Sequence, residues 1–330
     1  MKILIATPIF PPQVGGPAFY SAQLSEALKR QGHQVTVKTY GALLQLPSGI
    51  RHLCFALRLL PAAFSCDAII ALDTFSAGVP AAFVSMLARK PLIARAGGDF
   101  LWEGYLERTR ELVPLPQIYQ ERSRWGRRER IVFACVKFVA RHARLAFSSR
   151  WQLELWREPY QLLDNRVSVI ENAIEASLPS HEAARKNFLF YTREIALKNH
   201  AEFRSAFAKA KEHIPEIELE EGVLSHAQLL ERMQNCYAVV LPSISDITPN
   251  YIIDALRCGK PFLLTKYSAY ADKFAGMGVV VDPLSVEDMA RGIETLADPV
   301  QYARMREAVF SFKQVRTYDD VAREFVALLQ

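Results

Sequence analysis

The chain has 330 residues, half of them hydrophobic, which is enough apolar material for two cores of ordinary domain size. No apolar run approaches the roughly eighteen residues of a membrane-spanning helix, and the first residues read as a strand rather than a signal sequence, so we expect a cytoplasmic protein. Five cysteines without a C-x-x-C spacing argue against a disulfide framework and a zinc site.

Positive charge is concentrated in the first half of the chain. Lys and Arg outnumber Asp and Glu by 20 to 9 in residues 1–150, whereas residues 151–330 carry 20 basic and 26 acidic side chains. A basic half can face nucleic acid, an anionic membrane or phosphorylated substrates, and composition alone does not choose among them.

Short apolar runs alternate with helical periods along the chain. The pattern begins with a strand, continues with a helix over Pro17–Gln31 that stops at Gly32, and repeats in two series. This alternation predicts two doubly wound domains with parallel sheets, facing a cleft, with a boundary near residues 155–166. The predicted strands are Lys2–Pro8, Gln34–Thr39, Ala68–Leu72 and Pro91–Ala96 in the first series, and Val167–Ile170, Phe188–Tyr191, Glu216–Leu219, Tyr237–Leu241, Pro261–Thr265 and Gly278–Val281 in the second.

Each predicted domain has one loop with the properties of a phosphate site. In the first, Gly15 and Gly16 precede a helix that begins near Pro17, so that the backbone can approach an anion closely and the helix start offers N–H groups. In the second, Arg193 and Lys198 bracket the start of a helix and suit a diphosphate. An ordinary turn and solvated surface cations are the alternatives. The absence of G-x-G-x-x-G and G-x-x-x-x-G-K-[ST] argues against a dinucleotide oxidoreductase and a P-loop enzyme.

Two carboxylates follow the predicted buried strand Tyr237–Leu241. Asp246 precedes a predicted helix, and Asp254 lies on its second turn, with seven residues between them. Ligands of open α/β sheets bind beyond the carboxyl ends of the strands, so we expect these acids at the same edge as Arg193 and Lys198.

These motifs together resemble one enzyme family. The set comprises Gly-Gly-Pro after the first strand, an Arg-x4-Lys-Asn segment, and acid-x7-acid followed by Ala-Leu-x-x-Gly-Lys-Pro. It resembles the retaining, nucleotide-sugar-dependent glycosyltransferases of family four (glycosyl transferases group 1), which have the α/β GT-B fold. The resemblance implies a Rossmann-like acceptor domain over residues 1–160, a Rossmann-like donor domain over residues 161–312, and a C-terminal helix, residues 313–330, that returns to the first domain.

The resemblance also implies roles for individual residues. Asp254 would accept hydrogen bonds from the ribose of the donor, and Asp246 would touch the donor sugar. Arg193 and Lys198 would neutralise the diphosphate leaving group, over which Gly15 and Gly16 would close from the first domain. The sugar and the distal phosphate would meet the segment formed by Thr248, Pro249, Asn250 and Tyr251.

The sequence departs from the family pattern at several positions. Both acids are Asp where the family usually has Glu, and a His common at the end of a middle strand of the first domain is absent. The matching stretch, ARAGGDFLWE, directs attention to Asp99 as the residue that orients or deprotonates the acceptor hydroxyl, with Glu103 as the alternative on the acceptor side. A helix-capping turn is the other interpretation of Asp99. No D-x-D occurs, so we expect no metal and no cofactor beyond the nucleotide sugar as co-substrate.

The arginine-rich segment Glu121–Phe147 is read as a basic amphipathic surface. It is either a solvated helix packed on its domain or a peripheral contact with anionic lipid, made by Arg122, Arg124, Trp125, Arg127 and Arg128.

The resulting functional hypothesis is retaining transfer of a sugar from a nucleoside-diphosphate sugar to a hydroxyl of a glycan. A lipid-linked or cell-surface polysaccharide precursor, made at the cytoplasmic face of the cell envelope membrane, is the expected acceptor, and no nucleic acid is expected as a partner. The alternatives are a sugar-nucleotide epimerase of the same GT-B architecture and a protein that binds nucleic acid or an anionic surface through its basic first half.

Overall fold

The computed structural model describes residues 1–13 and 15–330. Its described residues form eleven strands, all in short apolar or alternating runs of the sequence. The strands are β1 (Lys2–Thr7), β2 (Gln34–Thr39), β3 (Ala68–Ala71), β4 (Leu92–Ala96), β5 (Arg144–Phe147), β6 (Val167–Val169), β7 (Lys186–Phe190), β8 (Ile217–Glu221), β9 (Ala238–Leu241), β10 (Phe262–Thr265) and β11 (Gly278–Val281).

Thirteen α-helices occur in the described residues, most of them between consecutive strands. They are α1 (Gly16–Arg30), α2 (Ser48–Ser65), α3 (Gly78–Ala88), α4 (Phe100–Thr109), α5 (Leu115–Gln120), α6 (Arg127–His142), α7 (Arg150–Tyr160), α8 (His200–His213), α9 (His226–Asn235), α10 (Asn250–Arg257), α11 (Val286–Ala297), α12 (Pro299–Ser311) and α13 (Tyr318–Ala327).

The strands form two parallel sheets, as the sequence predicted. The first has the order β2-β1-β3-β4-β5-β6 and the second the order β11-β10-β9-β7-β8. In the first sheet the strand order reverses at β1, which lies between β2 and β3. In the second it reverses at β7, which lies between β8 and β9. Such reversals are where ligands bind in open α/β sheets, because the loops that follow the two strands diverge there.

The chain divides into two compact units. One comprises Met1–Leu101, Arg122–Ala173 and Arg316–Gln330, and the other comprises Trp102–Glu121 and Ile174–Val315. The sequence placed the first boundary after residue 160, whereas in the structure the first unit continues through β6 to Ala173. The sequence also gave no reason to assign residues 102–121 to the second unit.

One apolar cluster of the first unit joins α1 to α13, the last described helix. Val321, Ala322 and Phe325 of α13 are fully buried with Leu24 and Leu28 of α1. A capping box at Thr317 begins α13, since its hydroxyl accepts from the amide of Asp320, whose carboxylate in turn accepts from the amide of Thr317. The C-terminal helix therefore returns to the first unit, as the resemblance implied.

The second unit has apolar clusters on both faces of its sheet. One includes Phe188, Phe203 and Ile293, and the other includes Leu241, Ile253 and Phe274. Because both faces are covered by helices, its strands read as nearly continuous apolar runs such as AVVL and FLLT.

The segment Glu121–Phe147 differs from its sequence interpretation in two ways. It contains a strand, β5, as well as helix α6, and this strand is paired on both sides in the first sheet. Trp125 is buried, with its ring 5.0 Å from that of Phe133, rather than exposed among the arginines. Trp125 is thus a core residue and does not itself reach a membrane, which corrects its assignment as a membrane contact.

Candidate functional site

Three of the four charged residues that the sequence predicted for a site in the second unit lie on neighbouring loops of its sheet. Arg193 and Lys198 follow β7, and Asp246 follows β9, which pairs directly with β7. A backbone hydrogen bond of 2.9 Å from the amide of Ile244 to the carbonyl of Leu197 joins the two loops. The reversal of strand order is therefore the place where these residues meet.

A tight turn sets the position of Lys198. Residues Ala196–Lys198 form one turn of 3-10 helix, and Asn199 then takes a left-handed conformation, with φ of 61°. The buried Asn199 amide donates to the carbonyls of Pro242 (3.3 Å) and Pro283 (2.8 Å), which belong to the loops after β9 and β11. Three loops are thereby tied together, and Asn is among the few residues that tolerate the left-handed region.

Lys198 and Asp246 form an ion pair. The Lys198 Nζ lies 3.1 Å from Oδ2 of Asp246 and 3.2 Å from Oγ of Ser243, and the two charged side chains are only 20% and 12% exposed. An ammonium has three N–H donors, of which these acceptors use two within the described residues. The third can serve an anion that reaches the loop.

The loop that carries Asp246 is held by backbone contacts on its far side. The amide of Asp246 donates to the carbonyl of Tyr267 at 3.0 Å, and Asp246 pairs with Ser268 in an isolated parallel bridge. The carboxylate is therefore presented from a fixed backbone, which a site needs if it is to position a ligand.

Residues 102–121 supply two supports that the sequence analysis missed. The Glu107 carboxylate accepts from the amide of Ala196 at 2.7 Å, at the start of the turn that carries Lys198. The Ser245 hydroxyl, next to Asp246, accepts from the amide of Leu115 at 3.0 Å. Nothing in the sequence signals these contacts, because Glu107 and Leu115 are far from the loops along the chain.

Asp254 lies in a separate cluster with two basic side chains. Its Oδ2 is 2.8 Å from Nε2 of His226, and its Oδ1 is 2.9 Å from Nη1 of Arg257. The Nη2 atom of Arg257 lies 3.2 Å from Oε2 of Glu175. The hydrogen bond to the carboxylate raises the pKa of His226 above its ordinary value. Arg257 was available from the sequence as an i,i+3 partner of Asp254, whereas no local pattern signals His226, which lies on α9.

The segment from Thr248 to Tyr251 starts α10. Pro249 has no N–H, so it cannot donate to a phosphate, and the amide of Asn250 donates to the carbonyl of Thr248 at 2.8 Å. The Tyr251 hydroxyl accepts from the amide of Tyr191 at 2.9 Å, which ties α10 to the loop after β7. Burial raises the Tyr251 pKa strongly. Thr248 and Asn250 stay predicted donor contacts, whereas Tyr251 has a defined structural role.

Arg193 is exposed on the loop after β7. Its backbone carbonyl accepts from the amide of Ile195 at 2.9 Å, which shapes the turn. Its side chain makes no hydrogen bond or ion pair within the described residues, so the guanidinium is available to an anionic ligand.

In the first unit, Gly15 and Gly16 begin α1 as the sequence predicted. Gly15 has φ of 147°, a conformation that side chains rarely adopt, and a Cβ on Gly16 would have no neighbour within 4 Å. Pro17 follows at the start of the helix. The preceding loop includes Val14, which lies outside the described residues. The role of both glycines in donor binding stays a prediction.

Asp99 is fully buried in the first unit. Its Oδ2 accepts from the indole Nε1 of Trp156 at 2.8 Å, while the carbonyl of the neighbouring Gly98 accepts from the Gln152 amide at 3.0 Å. This geometry favours a structural part for Asp99. Glu103 is half-buried on α4, in the part of the chain that belongs to the second unit. The acceptor-side role of both residues stays a prediction.

Arg95 is a cation at the carboxyl end of β4 that the sequence analysis missed. Its Nη2 donates to Oδ1 of Asn172 at 2.6 Å, and its guanidinium lies 4.0 Å from the ring centre of Tyr20. A Cβ at Gly97 would lie 1.6 Å from Nη1 of Arg95, so that a larger residue at this position would require the Arg95 side chain to move. The glycine pair of ARAGG was the available signal.

No metal cluster occurs within residues 1–13 and 15–330, where no three His, Cys, Asp or Glu side chains are grouped to hold an ion. None of the described helices is both long and apolar enough to cross a bilayer. The expectation that no metal takes part stays a prediction.

Comparison with solved structures identifies the architecture. HepE from Anabaena, crystallised with UDP-glucose, aligns over 100% of this chain and 99% of its own, with a TM-score of 0.71 and 16% identity. Sucrose-phosphate synthase from Thermosynechococcus elongatus aligns over 99% and 98%, with a TM-score of 0.69 and 15% identity. WaaG, a glycosyltransferase involved in lipopolysaccharide biosynthesis, aligns over 100% of both chains, with a TM-score of 0.68 and 13% identity.

The fold is GT-B. No protein-family model matches the sequence, and no curated protein is similar to it in sequence. The likeness to these GT-B structures is therefore one of fold, and activity has to be argued from the residues of the site. Within the GT-B architecture, the Lys198–Asp246 pair lies at the strand-order reversal of the second sheet.

Proposed function

We propose that the protein is a glycosyltransferase that moves a sugar from a nucleoside-diphosphate sugar to a hydroxyl of a glycan, with retention of the anomeric configuration. The observation that carries the proposal is the Lys198–Asp246 ion pair at the strand-order reversal of a GT-B sheet, 3.1 Å between charged atoms. A cation and a carboxylate held together suit the two parts of such a donor, the diphosphate and the hydroxyl-rich sugar.

The proposed reaction breaks the bond between the anomeric carbon and the diphosphate oxygen. Negative charge develops on the leaving phosphate, and Lys198 and Arg193 stabilise it by charge-assisted hydrogen bonds. The acceptor hydroxyl forms the new bond on the face that the diphosphate leaves, and its proton passes to the departing phosphate oxygen. No protein nucleophile is needed in this step.

The nucleotide is proposed to bind through Asp254. A carboxylate accepts hydrogen bonds from the two ribose hydroxyls, and Arg257 holds the Asp254 carboxylate in place through Oδ1. HepE, which shares the fold, was crystallised with UDP, with UDP-glucose, and with UDP and glucose. These complexes support a nucleotide-sugar donor for this chain, with UDP as the first nucleotide to test.

The acceptor is proposed to be a lipid-linked or cell-surface polysaccharide precursor, and the reaction to take place at the cytoplasmic face of the membrane. The involvement of WaaG in lipopolysaccharide biosynthesis supports an acceptor of this class. The strongly basic composition of residues 1–150 supports it too, because precursors of this kind lie at anionic membranes.

The test is release of nucleoside diphosphate from a panel of sugar nucleotides, with and without a glycan acceptor. We expect Lys198→Ala and Arg193→Ala each to lower transfer at least about tenfold, since each removes a charge from the leaving group. Lys209→Ala is the matched control, because Lys209 pairs with Glu287 on the exposed surface of the same unit.

The proposal fails if both variants turn over at the rate of an active parent enzyme. Turnover of the sugar nucleotide without any acceptor dependence, with interconversion of the sugar, would instead identify the epimerase alternative.

A further inference from the structure

The outward face of α2 is apolar. Its exposed side chains include Ile50, Leu53, Leu57 and Phe64, which are between 53% and 63% exposed. At roughly 100° per residue, these positions share one side of the helix, opposite the buried side that includes Phe55 and Leu59. A helix on the surface of a water-soluble domain normally has a polar outer face. Helix α2 departs from this rule, because its exposed side is apolar as well as its buried side.

The neighbouring helices extend this surface. α3 packs against both α2 and α6, and it exposes Phe83 (57%), Met86 (49%) and Leu87 (64%). Phe83 stacks on Phe138 of α6 at 4.6 Å, and α6 exposes Ile131 at 62%. Eight of the twenty large apolar side chains that are exposed in the described residues thus lie on these three helices. Contiguous exposure of this kind indicates an interaction site.

The charges around the apolar side chains have one sign. The segments 48–65, 78–90 and 127–142 contain nine basic residues and a single acid, Glu129. Glu129 is buried and accepts from the amide of Gly126 at 2.9 Å, so it does not offset the basic surface. The basic residues are Arg51, Arg58, Arg89, Lys90, Arg127, Arg128, Arg130, Lys137 and Arg141.

We propose that the outer face of α2, α3 and α6 is a membrane-docking surface that inserts Leu53, Leu57 and Phe83 into the interface of an anionic bilayer. Apolar side chains flanked by Lys and Arg are the pattern of helices that lie in the plane of a membrane interface. The apolar stripe does not suit nucleic acid, whose backbone offers charge and no apolar surface. The excess of cations selects a lipid surface with negative headgroups.

This surface differs from the one that the sequence indicated. The sequence placed the contact on Arg122, Arg124, Arg127 and Arg128 around Trp125, as an electrostatic attachment that salt would release. In the structure Trp125 is buried, and seven of the eight exposed apolar side chains of this surface belong to α2 and α3. Membrane binding therefore has an apolar contribution, which salt does not screen, in addition to the basic one.

The test is flotation of the full chain with vesicles of phosphatidylcholine, alone or mixed with phosphatidylglycerol. We expect the parent to bind the phosphatidylglycerol vesicles at low salt. It should retain part of this binding at about 0.5 M salt, where the attraction between surface charges is screened beyond a few Å but apolar insertion is not. Leu53→Gln, Leu57→Gln and Phe83→Gln together should weaken binding about tenfold for each side chain, about a thousandfold in all.

A second variant tests the charges. Arg127→Gln, Arg128→Gln and Arg130→Gln together should weaken binding to phosphatidylglycerol vesicles about fivefold for each charge and leave binding to phosphatidylcholine unchanged. The matched control for the apolar variant is Val223→Gln, Val300→Gln and Val315→Gln in the second unit, where these side chains are 57% to 73% exposed. It should bind vesicles like the parent.

Three results would overturn the assignment. The parent fails to bind phosphatidylglycerol vesicles at low salt, the apolar variant binds as well as the parent, or the parent is a lipid-free dimer that the apolar variant dissociates. The last result would make a second copy of the chain the occupant. Unchanged circular dichroism and unchanged UDP titration show that a variant is folded. The surface does not depend on the proposed transferase activity, so failure of the parent to bind any nucleoside diphosphate would overturn that activity alone.

Discussion

Asp254 is held by His226 on one oxygen and Arg257 on the other, at 2.8 and 2.9 Å. The Asp254 side chain is only 13% exposed, and its two basic neighbours fix the orientation of its carboxylate. If it binds the ribose as proposed, the nucleotide has to share the carboxylate with His226 or displace it. The residue is then both part of the nucleotide site and part of the packing between α9 and α10.

Replacement of each acid by its amide should separate their proposed roles. Asp254→Asn keeps the size of the side chain and loses a charge-assisted acceptor, so we expect UDP to bind about ten- to a hundredfold more weakly, a loss of about 1.5–3 kcal/mol. Asp246→Asn should lower turnover more than UDP affinity, because its proposed partner is the sugar. Calorimetric titration with UDP, which has the ribose and lacks the sugar, measures the difference.

The chain offers a control for this experiment. Glu287→Gln removes a carboxylate that pairs with Lys209 on the exposed surface of the same unit, and it should leave UDP affinity unchanged. Equal affinity of the parent and Asp254→Asn would show that Asp254 is not the ribose acceptor.

His226 should make the stability of the protein depend on pH. Its folded pKa is raised above 6.5 by the hydrogen bond to Asp254, so the pair stabilises the fold fully below pH 6.5 and loses this contribution as the pH rises through the folded pKa. We expect His226→Gln to lower the melting temperature at pH 5.5 and to have little effect at pH 9. Because His226 is 39% exposed, solvent screening keeps the effect below about 1 kcal/mol.

His33 provides the opposite case in the first unit. Burial and the N-terminal amine lower its pKa, so protonation of His33 opposes folding, and His33→Gln should raise rather than lower stability at pH 5.5. A rise in stability on His226→Gln at pH 5.5 would contradict the assigned cause of the His226 shift, and a fall on His33→Gln would contradict that of the His33 shift.

At the scale of elements, α13 depends on contacts far along the chain. Arg30 of α1 lies 2.7 Å from Asp319, and Arg316 lies 2.7 Å from Glu324 with a further hydrogen bond of 3.2 Å to the carbonyl of Glu171. The exposed Arg30–Asp319 pair contributes little to stability, and the Arg316–Glu324 pair is half-exposed on its Glu324 side. The buried Val321, Ala322 and Phe325 are therefore the main reason that the helix stays on the first unit.

Removal of the Phe325 ring should therefore destabilise the first unit. Phe325 is 0% exposed, and truncation of a buried Phe to Ala costs about 3–5 kcal/mol because a cavity is left behind. Urea unfolding followed by tryptophan fluorescence measures this, since Trp125, Trp151 and Trp156 belong to the first unit. Leu163→Ala, at a position 60% exposed in the same unit, should change stability by less than about 0.5 kcal/mol. Similar midpoints for the parent and Phe325→Ala would show that α13 is not part of that core.

The elements also show where a sequence pattern misleads. Arg144–Phe147 was joined to the preceding helical segment, because α6 and β5 are separated by Ala143 alone and apolar residues continue from one into the other. The neighbouring strands determine that this segment is a strand, because β5 lies between β4 and β6 and its backbone pairs with both of them. Periodicity cannot distinguish a short buried strand from the end of a helix.

For the whole molecule, the two units differ in more than sequence. The basic excess of residues 1–150 coincides in the first unit with the apolar surface of α2, α3 and α6, whereas the second unit carries the proposed nucleotide-binding residues Arg193, Lys198, Asp246 and Asp254. Each unit has its own core and its own parallel sheet. In the proposed enzyme, the first unit would therefore make the membrane contact and the second unit would make the contacts with the donor.

The sequence by itself determined the alternation of strands and helices, the two parallel sheets and the loops on which the cations and acids lie, because these depend on local periodicity, on glycine and proline, and on the fixed hand of crossovers. Only the tertiary structure decided that β7 lies beside β9, which brings Lys198 to Asp246. It also decided that His226 reaches Asp254, that Trp125 is buried, and that α2 faces outward with apolar side chains. These outcomes depend on contacts between residues distant along the chain, which strand order and helix packing set and which no local pattern contains.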